Sequence, residues 1–133
     1  MNRQLEVAQR SISRAGQVAS IALGDRCGQR RYEDALARCL RDPAQLDRVT
    51  GVGLCHGAAG LYMTAWRAAR DSESPGVAAC LPDLAARLHR QAILDDRTDQ
   101  GFLDGCAGTA LALHTAASGT SPASGWDACL LIS

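Results

Sequence analysis

Hydrophobic positions recur at helical spacing along almost the whole chain. Leu5, Ala8, Ile12, Ala15, Ala19 and Ala22 follow at intervals of 3, 4, 3, 4 and 3 residues. This is the one-sided stripe of an amphipathic helix, and Gly24 ends it. Tyr32, Ala35, Leu36, Cys39 and Leu40 form a second stripe. Asp42-Pro43 reads as the N-cap and first position of a short helix carrying Leu46 and Val49. The loop Gly53–Gly57 precedes a helix from about Ala58 to Arg70, and Ser72–Gly76 is a further loop. Leu81, Leu84, Ala85 and Leu88 stripe the next helix, restarted at Pro82. Asp95–Gln100 is a polar loop, and Gly105–Ala117 is helical. Ser118–Gly125 is rich in Gly, Ser and Pro and reads as irregular. Trp126–Ile132 forms either one last helical turn or a packed tail. Runs of Val, Ile, Thr and aromatics, which strands favour, do not occur. The predicted fold class is all-α.

The pattern repeats. Gly53-Leu54-Cys55-His56-Gly57-Ala58-Ala59-Gly60 aligns with Gly101-Phe102-Leu103-Asp104-Gly105-Cys106-Ala107-Gly108 at an offset of 48 residues. Each unit is a glycine loop, a small-residue helix, an outer helix and a return. Such units stack into solenoids or closed rings, which gathers successive loops on one face. The abundance of Ala, Leu and Gly beside few aromatics (4%) points to closely packed helices. At 133 residues the chain suits one domain, residues 1–133.

Charge narrows the partners. Fourteen basic residues balance fourteen acidic ones, so neither nucleic acid nor an anionic membrane is indicated. No apolar run is long enough to span a bilayer. The start, Met-Asn-Arg-Gln-Leu-Glu, has no apolar signal core, so a bacterial-type cytoplasm is the expected location. The six cysteines lack the tight spacing and secretory context of a disulfide framework. Cys39, Cys80 and Cys129 lie in apolar surroundings and read as small core residues.

The candidate chemistry sits at Cys55-His56. A thiol beside an imidazole is a zinc-favouring donor pair, and the flanking Gly53 and Gly57 let the backbone turn sharply. The following helix would place the cysteine at a positive dipole end, which favours the thiolate. On residue type alone a buried cysteine beside a helix-capping histidine is the favoured reading, since no second ligand pair stands at zinc-finger spacing. Cys106 follows the repeat-equivalent glycine and is expected to pack inward from the start of its helix. Asp104, at the place of His56 in the repeat, is expected to cap that helix. Cys27 lies in a polar loop, and His89 on a solvated face. His114 reads as a helix histidine with a local hydrogen bond, and Tyr62 and Trp66 as core.

Gly-Leu-Cys-His-Gly-x-Ala-Gly, then Gly-Phe-Leu-x-Gly-x-Ala-Gly-x-Ala-Leu-Ala-Leu, then Gly-Trp-Asp with a Leu-Leu pair, resembles the C-terminal part of lanthionine synthetase C-like proteins, the lanthipeptide cyclases. The likeness runs from about Ser13 to Ser133. It implies helical repeats forming part of an α/α toroid, a double ring of helices, incomplete here. The implied activity is zinc-dependent addition of a peptide cysteine thiolate to dehydroalanine or dehydrobutyrine, giving a thioether ring. The implied partner is the dehydrated precursor peptide. Cys55 and His56 match two of the family's three zinc ligands. The third belongs to a Trp-Cys-Tyr-Gly-like motif one repeat upstream. Counting back lands between Leu5 and Arg10, where no cysteine occurs. No residue is assigned as the acid that protonates the enolate.

The chain is therefore expected to be the zinc-bearing last portion of a cyclase, completed by a separate N-terminal part or working with a dehydratase. A non-catalytic helical-repeat remnant that binds peptide or a partner synthetase is the alternative, and a small structural zinc protein a third. A ring lacking its first repeats would leave the Ile12, Ala15, Ala19 stripe uncovered. Trp126-Asp127 is expected to pin the C-terminus.

Overall fold

A computed structural model describes residues 3–130, with side chains from Arg10 onward. Six α-helices run through it: α1 (Arg3–Leu23), α2 (Arg26–Arg41), α3 (Pro43–Leu46), α4 (Ala58–Asp71), α5 (Leu81–Leu94) and α6 (Cys106–Ser118). Short 3₁₀ turns cover Ala78–Cys80 and Trp126–Leu130. The described residues form no strand, only an isolated bridge between Gly51 and Gly57. The all-α reading holds. Asp42 caps α3 through Ala44 N as expected, but α3 stops at Leu46, before Val49. Cys27 is in the first turn of α2 rather than in a loop, because the Asp25 carboxylate accepts from Gly28 N at 2.9 Å and starts the helix early.

The centre of the molecule is α4. Ala58, Ala59, Leu61, Tyr62, Met63, Ala65, Trp66 and Ala68 are all buried, and α1, α5 and α6 each pack against this helix. Alanines at close crossings let the helix axes approach, while Met63 and Trp66 fill the space between them. Leu36 and Leu40 of α2 and Leu84 and Leu88 of α5 complete the core. Each such side chain contributes roughly 1.5–3 kcal/mol relative to exposure.

Helix α1 packs with its polar side inward. Ser13, Arg14, Gln17 and Ser20 are buried, whereas Ile12, Ala15, Ala19 and Ala22 face solvent. The uncovered stripe was expected; the side chains of Leu5 and Ala8 lie outside the described residues. The reason for the polar face lies at the end of α4. A helix leaves its last carbonyls without intrahelical donors. Here Gln17 Nε2 donates to Ala68 O at 3.0 Å and Gln29 Nε2 donates to Asp71 O at 3.1 Å. The buried Glu33 carboxylate orients both amides, accepting from Gln17 at 3.1 Å and Gln29 at 2.8 Å. Arg14 adds an ion pair to Asp71 at 2.6 Å, a cation at the negative end of the helix dipole. Thus α1 and α2 serve as a side-chain cap for α4. They cross closely where Gly16 leaves room for the Tyr32 ring.

The tail is held as anticipated. Trp126 sets its ring edge-on to Phe102 at 5.8 Å. Asp127, fully buried, accepts from Arg67 Nε at 2.5 Å. Trp126–Leu130 is a helical turn; Ile132 lies outside the described residues. Cys39 and Cys80 are buried, but Cys129 is exposed, its thiol bonded to Trp126 O. The 3₁₀ turn directs that cysteine outward, against the core expectation.

Candidate functional site

The 48-residue repeat is structural. Gly57 and Gly105 occupy the N-cap positions of α4 and α6 with nearly the same backbone angles, φ −114°, ψ −169° and φ −104°, ψ −174°. Neither helix has a side-chain cap bond. The loop carbonyls do that work. Ala58 N donates to Gly51 O at 2.9 Å and Ala59 N to Val52 O at 3.0 Å; in the second repeat Cys106 N donates to Asp99 O at 2.8 Å. Both loops lie so close to their helices that only glycine fits at two equivalent places. A Cβ at Gly60 would fall on the Leu54 carbonyl, and a Cβ at Gly108 on the Phe102 carbonyl.

The two loops also meet. Cys55 N donates to Leu103 O at 3.0 Å, and the Leu54 side chain fills the space over Gly108. The backbone of Cys55 is therefore fixed by the second repeat as well as its own. Val52 and Leu54 anchor the loop in the core, which leaves Cys55 and His56 exposed at its tip.

Their side chains converge. Cys55 Sγ lies 3.3 Å from His56 Nε2. Donors sharing a tetrahedral zinc at Zn–S about 2.3 Å and Zn–N about 2.0–2.1 Å would be roughly 3.5 Å apart, so the pair fits two coordination positions. The same separation also suits a thiol–imidazole hydrogen bond. The pair borders a cleft of about 240 Å³ shared with Arg10 and Ser11 of α1, Thr64 of α4 and Leu103 of the second loop.

Among the described residues no third ligand joins the pair: no group of three or more His, Cys, Asp or Glu could hold a metal ion. Asp104 is exposed and does not cap α6, because Gly105 takes the N-cap position without a side-chain bond. Cys106 is exposed instead of packed inward: its backbone amide ties the helix start to Asp99 and its side chain points away from the core. Cys27 is exposed on α2. His89 and His114 are exposed, Tyr62 and Trp66 buried.

Arg10 and Ser11 were not singled out from sequence as site residues. The signal for them was the count of one repeat back from Cys55, which ends at Arg10. In the fold Arg10, with Ser11 after it, does come to the cleft. What the two bring is a guanidinium and a hydroxyl.

Comparison with known proteins agrees with the repeat and its loops. No curated protein matches the chain, and no solved structure does. A family profile described as lanthionine synthetase C-like protein matches residues 14–131, which takes in α2 to α6, both glycine loops and the Trp126-Asp127 anchor. The chain belongs to the lanthionine synthetase C-like family.

Proposed function

We propose that this chain serves lanthipeptide-type ring formation by presenting a peptide cysteine at the Cys55–His56 pair, with zinc as cofactor. Lanthionine synthetase C-like proteins act on precursor peptides. Their reaction joins a cysteine thiolate to dehydroalanine or dehydrobutyrine. The observation that carries the reading is the 3.3 Å approach of Cys55 Sγ and His56 Nε2 at the edge of a cleft.

Cys55 and His56 would hold the ion. Zinc, when bound, supplies a thiolate at neutral pH from a thiol whose ordinary pKa is about 8.5. The remaining work falls to the chain itself. The Cys55 N–Leu103 O bond fixes where the sulfur stands. Leu61, Leu103 and Leu130 give the cleft apolar walls for residues flanking the peptide cysteine, and the Ser11 and Thr64 hydroxyls offer it hydrogen bonds.

A narrower reading is favoured by the missing third ligand among the described residues, since catalytic zinc normally has three protein ligands. On that reading these residues bind precursor peptide but do not close rings alone, and further cyclase residues or a dehydratase supply the rest. All six cysteines are free, which suits a reducing compartment such as the cytoplasm. Among the described residues no helix is long and apolar enough to cross a membrane.

The test uses a fluorescent cysteine peptide and its serine counterpart, titrated with equimolar zinc present. The cysteine peptide should bind at least about tenfold tighter, roughly 1.4 kcal/mol, and Cys55→Ala should abolish the difference. Equal binding of the two peptides contradicts the proposal.

A further inference from the structure

One side chain in the cleft has no part in holding a metal. Arg10 is only 9% exposed. It lines the same cleft as Cys55 and His56, yet among the described residues it has no hydrogen-bond or ion-pair partner. The chain's other enclosed arginines have partners among the described residues, although Arg87 keeps its Nε unpaired. Arg14 pairs with Asp71 and Arg67 with Asp127, while Arg87 donates to the carbonyls of Leu46 and Val49. Burial lowers the Arg10 pKa, opposed by the nearby Cys39. A guanidinium nonetheless stays charged at any physiological pH. Because Arg10 lines the cleft, its guanidinium can pair with an anion that enters there.

We propose that the Arg10 end of the cleft binds a carboxylate of the same peptide whose thiol meets Cys55 and His56. The guanidinium presents two parallel N–H donors, the geometry that carboxylates accept. The apolar walls at Leu61 and Leu103 lower the local dielectric and strengthen such a pair. A cleft of about 240 Å³ admits side-chain-sized groups, so the carboxylate must lie close to the cysteine in the peptide. An acidic side chain or a chain terminus would supply it. The inference rests on the cleft being the peptide site, but not on zinc.

Three capped cysteine tripeptides test it: one neutral with an amidated end, one with a free C-terminal carboxylate, and one amidated with glutamate beside the cysteine. Affinities are read by amide chemical-shift titration of the full chain, with and without zinc. At least one carboxylate peptide should bind about tenfold tighter than the neutral one, as expected for a charge-assisted pair, and the preferred peptide identifies the source. Arg10→Gln should cut that preference below about twofold without weakening the neutral peptide. If Arg10→Gln does not fold, Arg10→Met carries the same comparison. Three results overturn the inference: equal affinities in the native chain, a preference that survives the substitution, or no binding of any peptide. Zinc-dependent binding of the neutral peptide without a carboxylate preference would sink this inference alone. A carboxylate preference without any zinc effect would sink only the metal reading.

Discussion

Replacing Gly60 with alanine strikes the joint between the first glycine loop and α4. At an ordinary helical position, alanine is favoured over glycine by roughly 1 kcal/mol. Here the added Cβ would fall on the Leu54 carbonyl oxygen and 2.9 Å from its carbon. The obstacle is backbone rather than the far end of a flexible side chain. Restoring a normal contact of about 3.5 Å or more requires a shift on the order of 1 Å. Leu54 is 3% exposed and its side chain fills the space over Gly108, so the displacement reaches the second repeat. Overpacking a tight interior costs about 1–3 kcal/mol, and a rigid backbone obstacle belongs at the upper end. After subtracting the part of the propensity gain that survives at a helix start, the net loss is about 2 kcal/mol. Thermal unfolding followed by far-UV circular dichroism should then show a midpoint lower by roughly 6–10 °C. Gly108→Ala should behave alike, because its Cβ would meet the Phe102 carbonyl. Gly76→Ala is the control: the nearest atom to its Cβ would be Ala37 Cβ at 3.6 Å, and stability should stay within about 0.5 kcal/mol. A Gly60→Ala protein as stable as the native one would refute the close approach of loop and helix.

Other expectations follow from the same structure. Arg67→Met leaves Asp127, fully buried, without its partner; breaking such a pair costs about 3–5 kcal/mol, and the lower end applies because Arg67 keeps 23% exposure. Urea unfolding should report that loss. Ile12→Ser combined with Ile21→Ser removes two exposed side chains, 63% and 43% accessible, and should change stability by less than about 0.5 kcal/mol each. Gln17→Leu, more apolar, should instead destabilise by about 1–3 kcal/mol, because it strips Ala68 O and Glu33 of a donor. A hydrogen bond from Arg97 lowers the pKa of Asp95. A carboxylate whose folded pKa is depressed contributes above its unfolded pKa and loses that contribution as pH falls through the folded one. Carbon-13 titration should place Asp95 below the ordinary carboxylate range, and Arg97→Gln should return it there.

Much of the fold was legible because helix periodicity and glycine punctuation are local signals. The stripes located α1, α2 and α5, and the 48-residue echo located both loops. The face that α1 turns inward was not local information. A stripe of Ile and Ala tells that a helix forms; which side is buried depends on what waits there. At the end of α4, two carbonyls and Asp71 waited for Gln17, Gln29 and Arg14. Cys106 and Asp104 failed as inward and capping residues for a related reason. The glycine loop already supplies backbone carbonyls to the helix start, so neither side chain is recruited. The Cys55-His56 pair was visible because adjacency and flanking glycines are unusual. Arg10 was not, since arginine in an amphipathic helix is ordinarily read as surface.

X-ray absorption at the zinc edge, on the chain loaded with one equivalent of the metal, tests the central claim most directly. The account predicts one sulfur and one imidazole nitrogen donated by the protein, with the sulfur lost in Cys55→Ala and the imidazole in His56→Ala. A metal surrounded by oxygen donors alone, or a spectrum unchanged by either substitution, would contradict it.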